Sequence, residues 1–331
     1  MAKHALIYTV SRLDILLTAT SLASVIDHYQ SAEPLDVLVM GDDIFNSDIE
    51  LVRSLPERFH KPQVKVYFFN PPITRADFDD YHNERFPLVV TWRLFAPSFF
   101  PNYDRQLYLD NDTLVYGDIT PMFDLCPDDK LFAAVPDFFY YSQKAVFQKP
   151  EFPELKDSQK YISSGVILFN VPLYNQKVQP QKLIDALHHN TARYPDQTLL
   201  NRLGEGQMAF LDFTYNFQKD ASWLKWVKTN FPETYPDFER ASHHVLIRHF
   251  VGYLLRSRPW QHLASYDQYE RDFWHYEMLV RQYFVDKSQQ LGYDTASRLD
   301  NAGLKGKSLR DKAFNPLLDA DDDDDEDQPA D

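Results

Sequence analysis

The first half of the chain alternates short β-branched or aromatic runs with helix-like stretches, and this alternation restricts the fold more than any other feature. The runs Ala5 to Val10, Leu35 to Met40, Val64 to Phe69, Gln106 to Leu109 and Leu131 to Val135 read as strands. Between them, Leu13 to Tyr29 carries Leu16, Leu17, Leu22 and Ile26 near helical spacing. Asp48 to Phe59 ends at a Lys-Pro stop, and Leu88 to Phe99 is opened by Pro87, so both also read as helices. The pattern is that of an α/β sheet covered by helices.

Beyond Asp137 the texture changes. Phe138 to Lys160 is aromatic and broken by prolines without a clean period, and is expected to be a long irregular loop with a functional role. A strand over Tyr161 to Asn170, helices over Pro180 to His189 and Pro195 to Leu203, and strands over Met208 to Phe213 and Val245 to Phe250 follow. An aromatic-rich helix from Tyr266 to Gln290 closes the patterned region.

Composition excludes several classes. At 331 residues, with 44% hydrophobic and 25% charged residues, the chain supports a large buried core and is no small stapled module. Its one cysteine, Cys126, rules out an intrachain disulfide and a cysteine-cluster metal site, and fits a reducing, cytoplasmic compartment. The apolar run Ala5 to Val10 is too short for a signal-peptide core or a membrane span. Net charge is −15, but Asp319 to Asp331 hold nine acids and no base, so the preceding chain carries only −6. That mild acidity argues against non-specific binding to nucleic acid.

The acidic tail has nothing to bury and is expected to be disordered. Just before it lie Lys305, Lys307, Arg310 and Lys312. Two readings stand for this basic stretch: a solvated end paired loosely with the tail, or a peripheral contact with a membrane or an acidic partner.

No G-x-x-x-x-G-K-[ST] loop and no G-x-S-x-G elbow is present. Gly204, Gly206 and Ala209 nominally match a dinucleotide fingerprint, but after a helix and before a strand, the reverse of the required context. The informative stretch runs from Arg105 to Val115 and ends its apolar strand on Asp110-Asn111-Asp112. Residues two apart on extended backbone project to one side, so both carboxylates can converge on one cation. Such an oxygen pair suits Mg²⁺ or Mn²⁺ with positions left open for diphosphate oxygens.

Three further segments join it in order: Tyr161-Ile-Ser-Ser-Gly-Val-Ile-Leu-Phe-Asn, Asp196-Gln197 opening a helix, and His249-Phe-Val-Gly with Arg258-Pro-Trp. Together the four motifs resemble the family 8 glycosyltransferases, the group of glycogenin and the bacterial retaining galactosyl- and glucosyltransferases. The resemblance covers roughly residues 5 to 260. It implies an α/β fold of the GT-A type: a single nucleotide-binding, Rossmann-like mixed sheet flanked by helices. On that basis residues 1–260 form the catalytic domain, 261–318 a C-terminal helical extension and 319–331 the acidic tail.

The activity implied is metal-dependent transfer of glucose or galactose, with retention, from a UDP-sugar to a glycan, glycolipid or glycoprotein acceptor. A degenerate member kept as a binding or scaffold partner is the alternative. Carried over by motif, Asp110, Asp112 and His249 hold Mn²⁺ or Mg²⁺, and Arg93 contacts the donor. Asp196 accepts from donor-sugar hydroxyls, and Gln197 lies beside the anomeric carbon for a front-face reaction. Thr9, Ser11, Asn111, Ser163, Gly252, Arg256 and Arg258 complete the donor side.

Departures from the family pattern are also legible. After the first strand the chain reads Thr9-Val-Ser11-Arg12 where the family often has Asp and Asn near the nucleoside. Ser163 stands where Asn usually precedes Ser-Gly. Extra residues between Gly252 and Arg258 make Arg256 a competitor of Arg258 for the phosphate.

Overall fold

Leu6, Tyr8 and Val10 on one face of strand β1 (His4–Val10), and Ala5 and Ile7 on the other, are all fully buried. A strand apolar on both faces must lie inside a sheet covered on both sides. The computed structural model, which describes residues 3–71, 73, 87–143, 157–188, 192–252 and 258–292, shows that arrangement. Arg256, the basic stretch, the acidic tail and the centre of the Phe138 to Lys160 segment lie outside the described residues.

Six more strands join β1: β2 (Leu35–Gly41), β3 (Val64–Phe69), β4 (Arg105–Leu109), β6 (Phe132–Pro136), β7 (Ile162–Asn170) and β8 (Met208–Phe210). Their order is β3-β2-β1-β4-β7-β6-β8, parallel except where β7 runs against both β4 and β6. A two-stranded antiparallel ribbon pairs β5 (Thr113–Val115) with β9 (Ile247–His249). This is the mixed α/β sheet expected from the sequence.

Helices α1 (Ile15–His28), α2 (Asn46–Arg53) and α3 (Leu55–Arg58) cover one face. The same core receives α5 (Phe138–Ser142), α9 (Ala221–Asn230), α10 (Tyr235–Ser242) and α11 (Gln268–Gln290). The opposite face is covered by α4 (Ala96–Phe99), α6 (Val171–Lys177), α7 (Pro180–His188) and α8 (Pro195–Gly204). The last helix is fastened to the body by side chains. Tyr276 donates to Asp27 at 2.8 Å, Tyr283 to the Ser54 carbonyl at 2.9 Å, and Lys287 pairs with Glu57 at 2.6 Å. Among the described residues no helix is long and apolar enough to cross a membrane.

Local departures from expectation have local causes. Leu88 to Phe99 is not one helix: a 3-10 segment, Leu88–Leu94, precedes the short α4. Pro97 has no N–H for the Arg93 carbonyl, and Val89, Val90 and Thr91 are stiff at χ1, so a continuous α-helix is disfavoured. The segment after Asp137 does not begin as irregular loop. Asp137 accepts from the Phe139 and Tyr140 amides and caps α5.

The topology defines where a site can sit. The chain builds β2 and β3 on one side of β1 and β4 on the other, so the carboxyl ends of β1 and β4 flank a topological switch point. Because β7 is reversed, its first residues reach that same edge, and the Asp110 amide donates to the Gly165 carbonyl at 2.8 Å.

Candidate active site

Asp110 follows β4 and Asp112 precedes β5. The two acids lie in the turn between these strands, so a turn and not strand alternation brings them together, which corrects the sequence expectation. The turn is closed by the Thr113 hydroxyl donating to the Asp110 carbonyl at 2.8 Å. His249, at the end of β9, is placed by ribbon pairing directly opposite Thr113.

The result is a compact ligand set, with one donor atom from each of Asp110, Asp112 and His249 within 4.8 Å of the others. His249 Nε2 is 2.9 Å from Asp112 Oδ1 and 3.6 Å from Asp110 Oδ2. Its Nδ1 is 2.9 Å from Asn216 Oδ1, which accepts the Nδ1 proton and turns Nε2 toward the carboxylates. Burial alone would raise the Asp112 carboxyl, but His249 and then Arg258 hold it below the ordinary carboxylate range.

Gly165 makes room for this cluster. A Cβ there would lie 2.7 Å from His249 Nδ1 and 2.9 Å from Asp110 Oδ2. Asn111, expected on the donor side, is partly buried, and its Oδ1 accepts no hydrogen bond from the described residues.

Arg93 is 5% exposed, so it is no surface ion pair. Each guanidinium nitrogen already holds a partner. Nε donates to the Val90 carbonyl at 2.8 Å, Nη1 to the Ser164 carbonyl at 2.8 Å, and Nη2 pairs with Asp110 Oδ1 at 2.9 Å. The cation also lies 4.5 Å from the Tyr108 ring centroid, and the Tyr108 hydroxyl donates to Asp110 at 2.7 Å. Arg93 therefore sits under the acids and organises them.

Asp196, in the first turn of α8, is 4% exposed. Its Oδ2 is 3.3 Å from Arg93 Nε yet receives no hydrogen bond from the described residues, because that N–H is aimed at Val90. Burial raises the Asp196 carboxyl, with Arg93 and the Ser164 hydroxyl opposing. A buried carboxylate oxygen lacking a donor is unfavourable unless a ligand supplies one.

Gln197 is held from two sides. The Ser164 amide donates to its Oε1 at 3.1 Å, and its side chain bonds the Asp137 carboxylate. Asp137 in turn feels Lys219, a lysine only 5% exposed. Burial pushes the Lys219 ammonium down to about 8, and it pushes the Asp137 carboxyl up.

Other expected donor-side residues are placed as follows. The Thr9 hydroxyl is 3.1 Å from Tyr108 Oη, and the Ser11 hydroxyl donates to Asp14 at 2.6 Å. Ser163 is buried, and its Oγ accepts from the Gly165 amide at 3.4 Å. Gly252 admits a protein group: a Cβ there would lie 2.7 Å from Arg258 Nε. Arg258 thus folds back over Gly252, and its Nε has no acceptor among the described residues.

The chain as a whole is similar to known proteins. The sequence pattern of glycosyl transferase family 8 matches residues 6–264. The chain belongs to that family.

Among family 8 relatives, glycosyltransferase GlyA of Streptococcus pneumoniae is 27% identical over 232 residues. The lipopolysaccharide 1,2-glucosyltransferase of Escherichia coli is 28% identical over 183 residues. These alignments take in 70% and 54% of this chain. They span only 29% and 51% of the relatives' own lengths. The galactosyltransferase LgtC, solved with donor and acceptor sugar analogs, superposes with a TM-score of 0.65 over 82% of this chain and 95% of its own. At 19% identity that likeness speaks for the fold, which is the GT-A arrangement expected from sequence.

Within this family 8 chain, sequence reasoning did not single out Gly165, Asn216, Asp137 or Lys219. Gly165 lay inside a quoted motif and could have been flagged. Asn216 and Lys219 carry no local signal, because their roles arise only when the 3-10 turn Phe213–Tyr215 and its exit pack under β9.

Proposed function

We propose that the chain is a metal-dependent retaining hexosyltransferase that moves glucose or galactose from a UDP-sugar to a carbohydrate-bearing acceptor. The observation that carries this reading is the convergence of Asp110, Asp112 and His249 beside an Asp196 oxygen with no donor of its own. Two carboxylates and one imidazole form a donor set that suits Mn²⁺ better than Mg²⁺, which prefers oxygen alone. Asn216 on the far side of the imidazole keeps Nε2 available for such an ion. A bound cation would supply Lewis-acid neutralisation of charge growing on the departing diphosphate.

The protein's own groups have distinct tasks. Arg93 bridges the Asp110 and Asp196 carboxylates, at 2.9 Å and 3.3 Å, and offsets part of their mutual repulsion. Asp196 Oδ2 takes a hydroxyl of the donor hexose, which fixes the sugar relative to Gln197. The Gln197 amide, locked between Ser164 and Asp137, presents a dipole and no nucleophile, which supports front-face attack without a covalent intermediate. Arg258 adds positive charge beside Asp112 for the leaving diphosphate.

Calorimetric titration with UDP tests the reading. Binding that requires Mn²⁺ and disappears in Asp110→Ala and Asp112→Ala is expected. UDP binding that is equal with and without the metal would overturn the assignment. A panel of UDP-sugars scored for Mn²⁺-stimulated UDP release then identifies the hexose.

A further inference from the structure

At the β3 edge of the sheet, far in sequence from every motif above, a groove of about 600 Å³ opens between α2–α3 and the strand. Arg53, His60, Lys61 and Lys65 line it, with Glu57 as its one acid. Glu57 is already neutralised by Lys287 at 2.6 Å. A cationic groove is out of character for this protein, whose first 318 residues carry a net −6. Its position also matters. Helix α11 is tied to this corner by Tyr283 on Ser54 and Lys287 on Glu57, so the chain emerges beside the groove at Gln290.

We propose that this groove is the docking site of the chain's own acidic segment, Asp319 to Asp331. Three observations carry it: opposite charge, the exit point of α11, and reach. The 28 residues between Gln290 and Asp319 can span on the order of 90 Å when extended. Tethering keeps the acids at a high local concentration around the groove. A single exposed ion pair contributes little, but nine acids facing several cations form a network, sensitive to salt. Docking would cover the outer side of an edge strand.

Carbodiimide cross-linking of the intact chain, mapped by mass spectrometry, tests the proposal. The Lys287–Glu57 pair serves as the internal control for cross-linking. Monomeric products joining Lys61 or Lys65 to residues 319–327 are expected. They should fall about tenfold in 0.5 M salt while the control link persists. Lys65→Gln should lower the yield at Lys61, because the groove loses attraction for the whole segment. Tail cross-links confined to Lys305–Lys312, or found only in dimers, would overturn it. So would full-length protein that pellets with phosphatidylglycerol vesicles through Lys65, since the groove would then be open to a membrane.

Discussion

Gly165 and His249 are in van der Waals contact across the strand β7 and the ribbon strand β9, with no space for a side chain between them. Asn216 and Asp112 fix the imidazole on its other sides, at 2.9 Å each, so the ring cannot retreat. Gly165→Ala should cost about 1–3 kcal/mol of stability by overpacking. It should also abolish Mn²⁺-dependent UDP binding. Thermal denaturation and titration calorimetry on the same sample check both effects, and a variant that binds normally would show that the imidazole is not a ligand.

The Arg93 bridge leads to a different expectation. Removing the cation leaves the buried Asp196 without its opposite charge and beside the partly buried Asp110, so Arg93→Met should destabilise the fold by about 3–5 kcal/mol. Adding Asp196→Asn should recover part of that loss. Chemical denaturation of the two single variants and the double variant measures the coupling, and simple additivity would show that the bridge does not join them.

Asn216 acts on His249 through Nδ1. Asn216→Ala should weaken Mn²⁺ affinity roughly 10- to 100-fold, the usual effect of losing such a partner. Asn216→Asp should retain it, because a carboxylate also accepts the Nδ1 proton. Competition with a metal indicator dye gives both affinities without any turnover assay.

Lys219 makes stability depend on pH in an unusual direction. Its ammonium lies near 8 in the folded chain against 10.5 unfolded, so between these values the unfolded state holds more protons. Stability contributed by this site therefore rises with pH across that window. The charging cost is fully present below pH 8 and amounts to about 3 kcal/mol. The difference in unfolding free energy between wild type and Lys219→Met should drift toward wild type from pH 8 to pH 10. A constant difference would contradict the burial of that charge.

Much of the sheet was legible because its central strands are buried on both faces and read as predominantly apolar runs. The observed β1, β2, β3, β4, β6 and β7 match the expected runs to within a residue at each end. The short ribbon strand β5 was not, since three residues of strand leave no periodicity to detect. Helices α9 and α10 were also missed. Their aromatic residues, Trp223 and Phe238, face a shared cluster around Phe138 that only the tertiary fold assembles. The cluster of Asp110, Asp112 and His249 was legible because each of the three sits in a recognisable motif. The supporting network was not, because Arg93 could be identified by position but its bond to Ser164 depends on β7 running backwards, and its pairing with Asp196 on where α8 begins.

That reversed strand ties the durability of the site to that of the whole molecule. The Asp110 amide closes onto Gly165 between two central strands, so solvent can reach it only if β4 and β7 part. Local fraying, which loosens most ligand-binding loops, cannot expose that amide. Its hydrogen exchange should be as slow as that of the innermost sheet amides, and the acidic turn persists for as long as the sheet itself.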